Sequence, residues 1–196
     1  MLNAYVSIIV LTYRQGERTK IAQKCLKALV DNTNYPYELI LIDNTWNNRG
    51  LSDGRNLGLA MATGGWICIM DDDIYVLPNW LSNCISTLKR TDMHKYLVTP
   101  LIQRCIGRWE LPNVKEYRCN ARTGSNCMIG RREIFEKVGA FANFKDRFPD
   151  KRRGMQYEAA KAGKYYSDLL YKAGYLFLLT KEKMAVDLGA NTHSYL

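Results

Sequence analysis

Apolar and polar positions alternate between two periods along this chain. Tyr5-Val6-Ser7-Ile8-Ile9-Val10-Leu11-Thr12-Tyr13 is dense in β-branched residues and predicts a first strand. From Glu17 to Asn32 the period lengthens. Ile21, Cys25, Leu26 and Leu29 fall on one helical face, and Asn34-Tyr35-Pro36 stops the helix. Glu38-Leu39-Ile40-Leu41-Ile42-Asp43 reads as a second buried strand, followed by a polar loop. A helix is expected from about Asp53 to Ala62, with Ser52 or Asp53 as its N-cap. Thr63-Gly64-Gly65 then leads into Trp66-Ile67-Cys68-Ile69-Met70, a continuous apolar run typical of a strand covered on both faces. The order β-α-β-α-β with short connections implies parallel strands and right-handed crossovers. Thr12, Asp43 and Asp71 then end their strands at one edge of the sheet.

The second half is less regular. Pro78-Asn79-Trp80-Leu81 opens a helix to about Arg90, with Leu81, Cys84, Ile85 and Leu88 inward, and Tyr96 to Pro100 is a strand. Residues 103–120 show no period and read as a surface excursion. Ser167-Asp168 fits an N-cap for a helix running through Lys172.

The 196 residues, 47% apolar, suit one domain with a real core. No run reaches membrane-spanning length. Met1-Leu2-Asn3-Ala4 passes at once into a strand, so the chain is expected to lack a signal peptide and to begin at Met1. Six cysteines without a Cys-x-x-Cys, and only His94 and His193 beside them, argue against zinc. Cys25, Cys68 and Cys84 read as core residues, and Cys105, Cys119 and Cys127 are the candidates for a disulfide. A reducing cytoplasm is the expected setting, with a membrane surface as a peripheral alternative. Of the net charge of +9, residues 101–196 carry nearly all, with 18 Lys/Arg against 10 Asp/Glu. An anionic partner is expected there.

The chemistry concentrates at Asp71-Asp72-Asp73, directly after the apolar run. Three like charges at a strand end repel unless a cation or a hydrogen-bond network compensates them. Carboxylate oxygens suit Mg²⁺ or Mn²⁺, commonly shared with substrate phosphates. The plainer alternative is a solvated acidic turn.

Four features in order narrow the choice: Thr12-Tyr13, Ile42-Asp43-Asn44, Arg55-Asn56-Leu57-Gly58, and Asp71-Asp72-Asp73. Together they resemble the nucleotide-sugar-dependent glycosyltransferases of the GT-A fold, specifically family 2. Gly124 through Phe141 is similar to that family's glycine-opened strand, Arg-rich turn, short helix and Val-Gly-Gly-Phe close. The departures are Leu11 where Pro is usual and Arg14 where Asn is common.

The resemblance implies an α/β, Rossmann-like, mostly parallel sheet flanked by helices, a single domain over 1–196. Residues 1–100 would bind the nucleotide sugar and 101–196 the acceptor. It implies that Thr12 and Tyr13 flank the nucleobase and that Asp43 bonds base or ribose. Arg55 and Asn56 would lie near the nucleotide, with Asn44 and Asp72 in the same pocket. Asp71 would approach ribose or metal, and Asp73 would hold a Mn²⁺ or Mg²⁺ bridging the diphosphate. The implied reaction is transfer of a sugar from a nucleoside diphosphate sugar to an acceptor hydroxyl, with inversion favoured. For the general base, Asp168 precedes Lys172-Ala173-Gly174-Tyr175 one helical turn closer than the family pattern. Asp150 is the rival and Glu158 a third candidate. Asp187 stands where the family often has a His near the metal, and His193 follows. The acceptor, a glycan, glycoprotein or lipid, is open, with Lys151-Arg152-Arg153 a candidate contact for phosphate. Other readings are a non-catalytic nucleotide-sugar binder, a nucleotidyltransferase, for which Tyr13 to Glu17 makes a poor phosphate loop, and a basic nucleic-acid-binding protein. Against the last stands the lack of aromatic-basic interleaving.

Overall fold

The computed structural model describes residues 5–13, 16–46, 50–104, 119–120, 126–142, 163 and 165–188. Three β-branched runs become β1 (Val6–Thr12), β2 (Tyr37–Asp43) and β3 (Trp66–Asp71). They lie parallel in the order β2-β1-β3, with α1 (Glu17–Asn32) and α2 (Leu51–Met61) as crossovers. Thr12 is paired in register with Asp43, and Leu11 with Asp71, so the three expected residues do end at one edge.

Side-chain alternation splits the core in two. Val6, Ile8 and Val10 of β1, with Trp66, Cys68 and Met70 of β3, pack under α1 and α3 (Trp80–Lys89). Ile9, Ile67 and Ile69 face the opposite layer of α2, α4 (Arg132–Val138) and α5 (residues 165–172). β1 and β3 are therefore covered on both sides. β2 is not. It is the last strand of the sheet, with Leu39 and Leu41 more than a third exposed, so the expected doubly buried strand is an edge strand.

Beyond β3 the sheet turns mixed. β7 (Cys127–Arg131) pairs antiparallel with β3 and with β5 (Tyr96–Arg104), and β8 (Leu176–Asp187) runs parallel to β5. β6 (Cys119–Asn120) joins β8 off the main path. The β5–β8 register slips around Pro100, a residue with no N–H to give, and there the Leu101 N–H donates to the Thr180 hydroxyl at 2.8 Å. Past this bulge β8 runs alongside β4 (Ile74–Val76), pairing Asp187 with Ile74. The long strand thereby returns to the Asp72-Asp73 turn.

Two local expectations are corrected. α2 begins at Leu51 with Gly50 as N-cap at φ 84°, not at Ser52 or Asp53, and no side chain caps it. Asp168 sits inside α5 rather than capping it. Cys25, Cys68, Cys84 and Cys127 are buried free thiols, so Cys127 forms no disulfide. Gly124, Asp150, Lys151 to Arg153, Glu158, His193 and Cys105 lie outside the described residues.

The helix that matters most for the edge, α2, packs close to β1. A Cβ on Gly58 would stand 2.3 Å from Ile9 Cγ2, and one on Gly54 2.4 Å from Leu11 Cδ1. Two glycines one turn apart thus let backbone meet strand, and Arg55 and Asn56 ride between them. Gly58→Ala gains about 1 kcal/mol of helix propensity but forces α2 off a branched strand residue. A net loss of about 1–3 kcal/mol is expected in urea unfolding; an unchanged or raised midpoint would refute the close packing.

Candidate active site

At the β1–β2 edge, the Asn44 N–H donates to the Thr12 carbonyl at 2.8 Å, continuing the ladder by one bond. The Asn44 side-chain amide donates to the Gly50 carbonyl at 3.0 Å and ties the loop to the start of α2. Asp43 accepts the Thr45 N–H at 2.9 Å and keeps an exposed side chain. Three buried oxygens gather here without a hydrogen-bond partner among the described residues: Thr12 Oγ1, Asn44 Oδ1 and Ser52 Oγ. Buried polar atoms are costly unless bonded, so such a set is expected where a ligand or water supplies the partners. Trp46, 94% exposed, stands beside them.

The three aspartates divide. Asp71, closing β3, accepts an ion-pair hydrogen bond from Arg55 at 2.7 Å, and its N–H donates to the Asn126 carbonyl at 2.9 Å. Arg55 is itself almost wholly buried and lies 5.4 Å above the Phe141 ring. Burial raises the Asp71 carboxyl despite the opposing pull of Arg55. Asp72 is 5% exposed and points back into the fold, accepting from Arg18 of α1 at 3.0 Å and from the Tyr13 N–H at 3.3 Å. It fastens the β1–α1 loop to the turn. Asp73 is pushed up to about 7, first by burial, then by Asp71, Asp187 and Asp72, with Arg18 opposing.

Asp187 arrives through the β4–β8 ladder, where the Leu188 N–H donates to the Asp73 carbonyl at 2.9 Å. Burial, then the charges of Asp73 and Asp72, push the Cys25 thiol up to about 12, with Asp187 adding to them. Among the described residues no three His, Cys, Asp or Glu side chains converge as a set that could hold a metal ion. The donor chemistry nevertheless fits a hard divalent cation: carboxylate oxygens, mutually repelling, at a strand end where a diphosphate would supply further oxygens.

Behind the aspartates runs a positioning chain. The Asn56 amide donates to the Phe141 carbonyl at 2.9 Å and accepts its N–H at 2.8 Å, so both ends serve the backbone. Phe141 stacks on Tyr166 of α5 with centroids 3.7 Å apart, and the Tyr166 hydroxyl donates to the Gly139 carbonyl. Asp168, two residues on, has its Oδ1 shielded from solvent. The structure thus brings Thr12, Asp43, Asn44, Arg55, Asp71 and Asp73 to one edge and adds Asp187. It gives Asn56 and Asp72 to the scaffold around them. Arg18 and Tyr166 carried no signal in the sequence beyond ordinary helix and core patterning, and Phe141 stood out only as the end of the segment resembling the Val-Gly-Gly-Phe close.

The family model described as Glycosyl transferase family 2 matches residues 44–139, which span α2, the aspartates and α4. Its fold is GT-A, and the chain resembles glycosyltransferase family 2. The sheet of this family 2-like chain superposes on crystal structures of S. aureus TarS. TarS 1-349 in complex with UDP-GlcNAc matches at 15% identity and a TM-score of 0.69, over 98% of this chain and 61% of that one. TarS 1-349 in complex with UDP matches at 16% and 0.64, over 93% and 60%. The chain thus spans about three fifths of the length of these TarS structures. No curated protein matches it by sequence.

The raised Asp73 gives a pH signature. Between about 4 and 7 the folded state holds a proton that the unfolded state has released, so stability falls as pH rises through this window and levels off above it. With EDTA present, Asp73→Asn should flatten that slope and gain ~2–4 kcal/mol at pH 8 but almost nothing at pH 4. Urea titrations at both pH values check this; parallel wild-type and mutant curves would refute it.

Proposed function

We propose that this chain is a glycosyltransferase that moves a sugar from a nucleoside diphosphate sugar to an acceptor hydroxyl. The observation that carries the reading is one edge of the sheet, where Thr12, Asn44 and, from the first turn of α2, Ser52 present buried oxygens without a partner among the described residues, and where Asp71, Asp73 and Asp187 also end. The first group suits the donors of a nucleobase and ribose, with Asp43 and Tyr13 at the rim. The second suits the diphosphate end. TarS, a protein of the same fold, has been crystallised with UDP-GlcNAc and with UDP, which supports a nucleotide-sugar donor.

Asp71 and Asp73 would hold Mn²⁺ or Mg²⁺, with Asp187 at hand. A divalent cation there supplies charge stabilisation to the departing diphosphate. Arg55 holds the orientation of Asp71 and opposes the burial that raises its carboxyl. Asn56, bound at both ends to Phe141, holds the segment leading from α4, and the Phe141–Tyr166 stack sets α5 against it. On this account α5 presents Asp168 to the acceptor hydroxyl as general base, with inversion at the anomeric carbon; Asp150 is the rival. The acceptor is proposed to be anionic, on the basic excess of residues 101–196. A membrane-proximal acceptor is the alternative, and the setting is cytoplasmic or peripheral to a membrane. Among the described residues no helix is long and apolar enough to cross a membrane.

The test pairs donor binding with turnover. Mn²⁺-dependent thermal stabilisation by UDP sugars and other nucleoside diphosphate sugars should appear in wild type and vanish in Asp73→Ala, with the fold retained. Asp43→Asn should weaken donor binding by roughly 1–3 kcal/mol while leaving metal binding intact. Asp168→Asn should keep donor and metal binding but lose transfer or donor hydrolysis by about 10²–10⁴-fold. Loss in Asp150→Asn instead moves the base there. Binding without turnover in wild type would make the chain a nucleotide-sugar binder, and no binding to any donor would overturn the reading.

A further inference from the structure

β2 ends the sheet, and no described residue pairs with its open side. The Pro36 carbonyl accepts the Val6 N–H at 3.0 Å and the Asn44 N–H reaches the Thr12 carbonyl, so the even-numbered residues of the strand serve β1. Tyr37, Leu39 and Leu41 therefore turn their own N–H and C=O groups outward. Natural edges are commonly blunted by lysine, proline, a bulge or short length. β2 carries none of these, and runs seven residues in unbroken register with β1. Glu38, the one charge inside it, is drawn back into the fold, accepting from the Ser7 hydroxyl at 2.5 Å and the Thr63 N–H at 2.7 Å. Apolar side chains flank the edge on both faces. Ile40 and Ile42 pack beneath α2, so Leu39 and Leu41 stand on the α1 face, more than a third exposed. On α2, Asn56 and Leu59 face α4, which leaves Leu57 and Met61 on the opposite flank, toward β2, at 39% and 54% exposed.

A row of outward backbone groups between exposed apolar side chains is a template for a further strand. We propose that β2 takes a second copy of this chain, whose own β2 pairs with it antiparallel about a twofold axis at Ile40, and that Tyr37 of the partner subunit thereby stands opposite Asp43 at the rim of the donor pocket. The second clause rests on the donor site proposed above; the first does not. Two features select a copy of the chain as the occupant. One is self-complementarity. The symmetric register centred on Ile40 is the one that overlaps the whole strand, and it sets Leu39 opposite Leu41 of the partner subunit. Each such pair exchanges both N–H···O bonds and lays apolar on apolar. The axis is perpendicular to the sheet, so α2 lies beside its copy on one face, and Leu57 and Met61 are covered there. The other feature is charge. Residues 1–100, which build β2 and its flanking helices, carry 10 Lys/Arg against 9 Asp/Glu, whereas the basic excess lies in 101–196. β7 and β8 of that second half stand beyond β1 and β3, away from β2. Pairing through β2 thus joins nearly neutral surfaces and keeps like charge apart. Across the pair, Tyr37 of the partner subunit comes to about 5 Å from Asp43 between Cβ atoms, and adds an aromatic side chain beside the proposed nucleobase pocket.

The experiment is sedimentation velocity on the full chain over a concentration series, without metal or nucleotide. A monomer–dimer equilibrium is expected. Leu39→Lys and Leu41→Glu, both at exposed positions, should each weaken it by about tenfold or more. Mixing the two variants should restore association, because the mixed dimer sets the new cation opposite the new anion and keeps one leucine pair. Rescue of this kind requires that the occupant be a second copy in this register. Amide hydrogen exchange on wild type reads the same contact without a substitution: the Leu39 and Leu41 N–H groups should be protected at high concentration and exchange freely on dilution. Titration with UDP, ADP and GDP then tests the contribution of the partner's Tyr37. The nucleotide that wild type binds should bind several-fold more weakly to either variant alone and regain its affinity in the mixture. A wild-type chain that stays monomeric, a dimer that Leu39→Lys leaves intact, or Leu39 and Leu41 amides indifferent to dilution would overturn the interface. Equal nucleotide affinity in monomer and dimer would overturn the place given to Tyr37. A dimer with the expected rescue that binds no nucleotide would overturn the donor reading and leave the interface standing.

Discussion

The ion pair between Arg55 and Asp71 is the contact on which the rest of this edge depends. A nearly buried guanidinium meets a carboxylate at the end of β3, a strand covered on both faces, 2.7 Å apart. Taking both groups out of water is costly, and their attraction recovers that cost only with good geometry and further partners. Phe141 provides one, its ring face beneath the cation. Removing either member would strand the other's charge. The pair therefore joins three otherwise separate parts: α2, the end of β3, and the segment after α4. Through Tyr166 it reaches α5 as well.

The aspartates then read as a division of labour imposed by burial. Asp71 is neutralised by Arg55, and Asp72 is turned inward to Arg18 and the Tyr13 backbone. That leaves Asp73 facing Asp187 and the residual charge of its neighbours, and its carboxyl rises accordingly. A cation beside Asp73 would reverse that shift, because it rewards the ionised form that burial and repulsion penalise. The acidic turn is thus not a solvated one. Asp72 is committed to the fold, Asp71 is oriented by Arg55, and Asp73 is held in a state that a cation beside it would relieve.

Much of this was legible in the chain itself, because it rests on local periodicity. The apolar runs of β1 and β3, the helix over Glu17–Asn32 and the shared edge of Thr12, Asp43 and Asp71 follow from spacing alone. The pattern failed where long-range pairing decides. β2 has the same apolar run as its neighbours but ends the sheet, and β7 enters antiparallel beside β3, which no local signal announces. Asn56 was expected near the nucleotide on the resemblance of Arg55-Asn56-Leu57-Gly58; the fold shows both ends of its amide bound to Phe141. No local pattern announces that Gly54 and Gly58 set how near α2 comes to β1. Asp187 reaches the turn only because β8 is long and bulged enough to return to β4.

The most direct check is a crystal structure of this chain grown with Mn²⁺ and UDP, phased to show manganese by anomalous scattering. The account predicts one strong manganese peak in contact with Asp73 and the UDP diphosphate, the uracil near Thr12 and Asp43, and the Arg55–Asp71 pair intact. A nucleotide bound elsewhere, or one at this edge with manganese absent from Asp71 and Asp73, would contradict it.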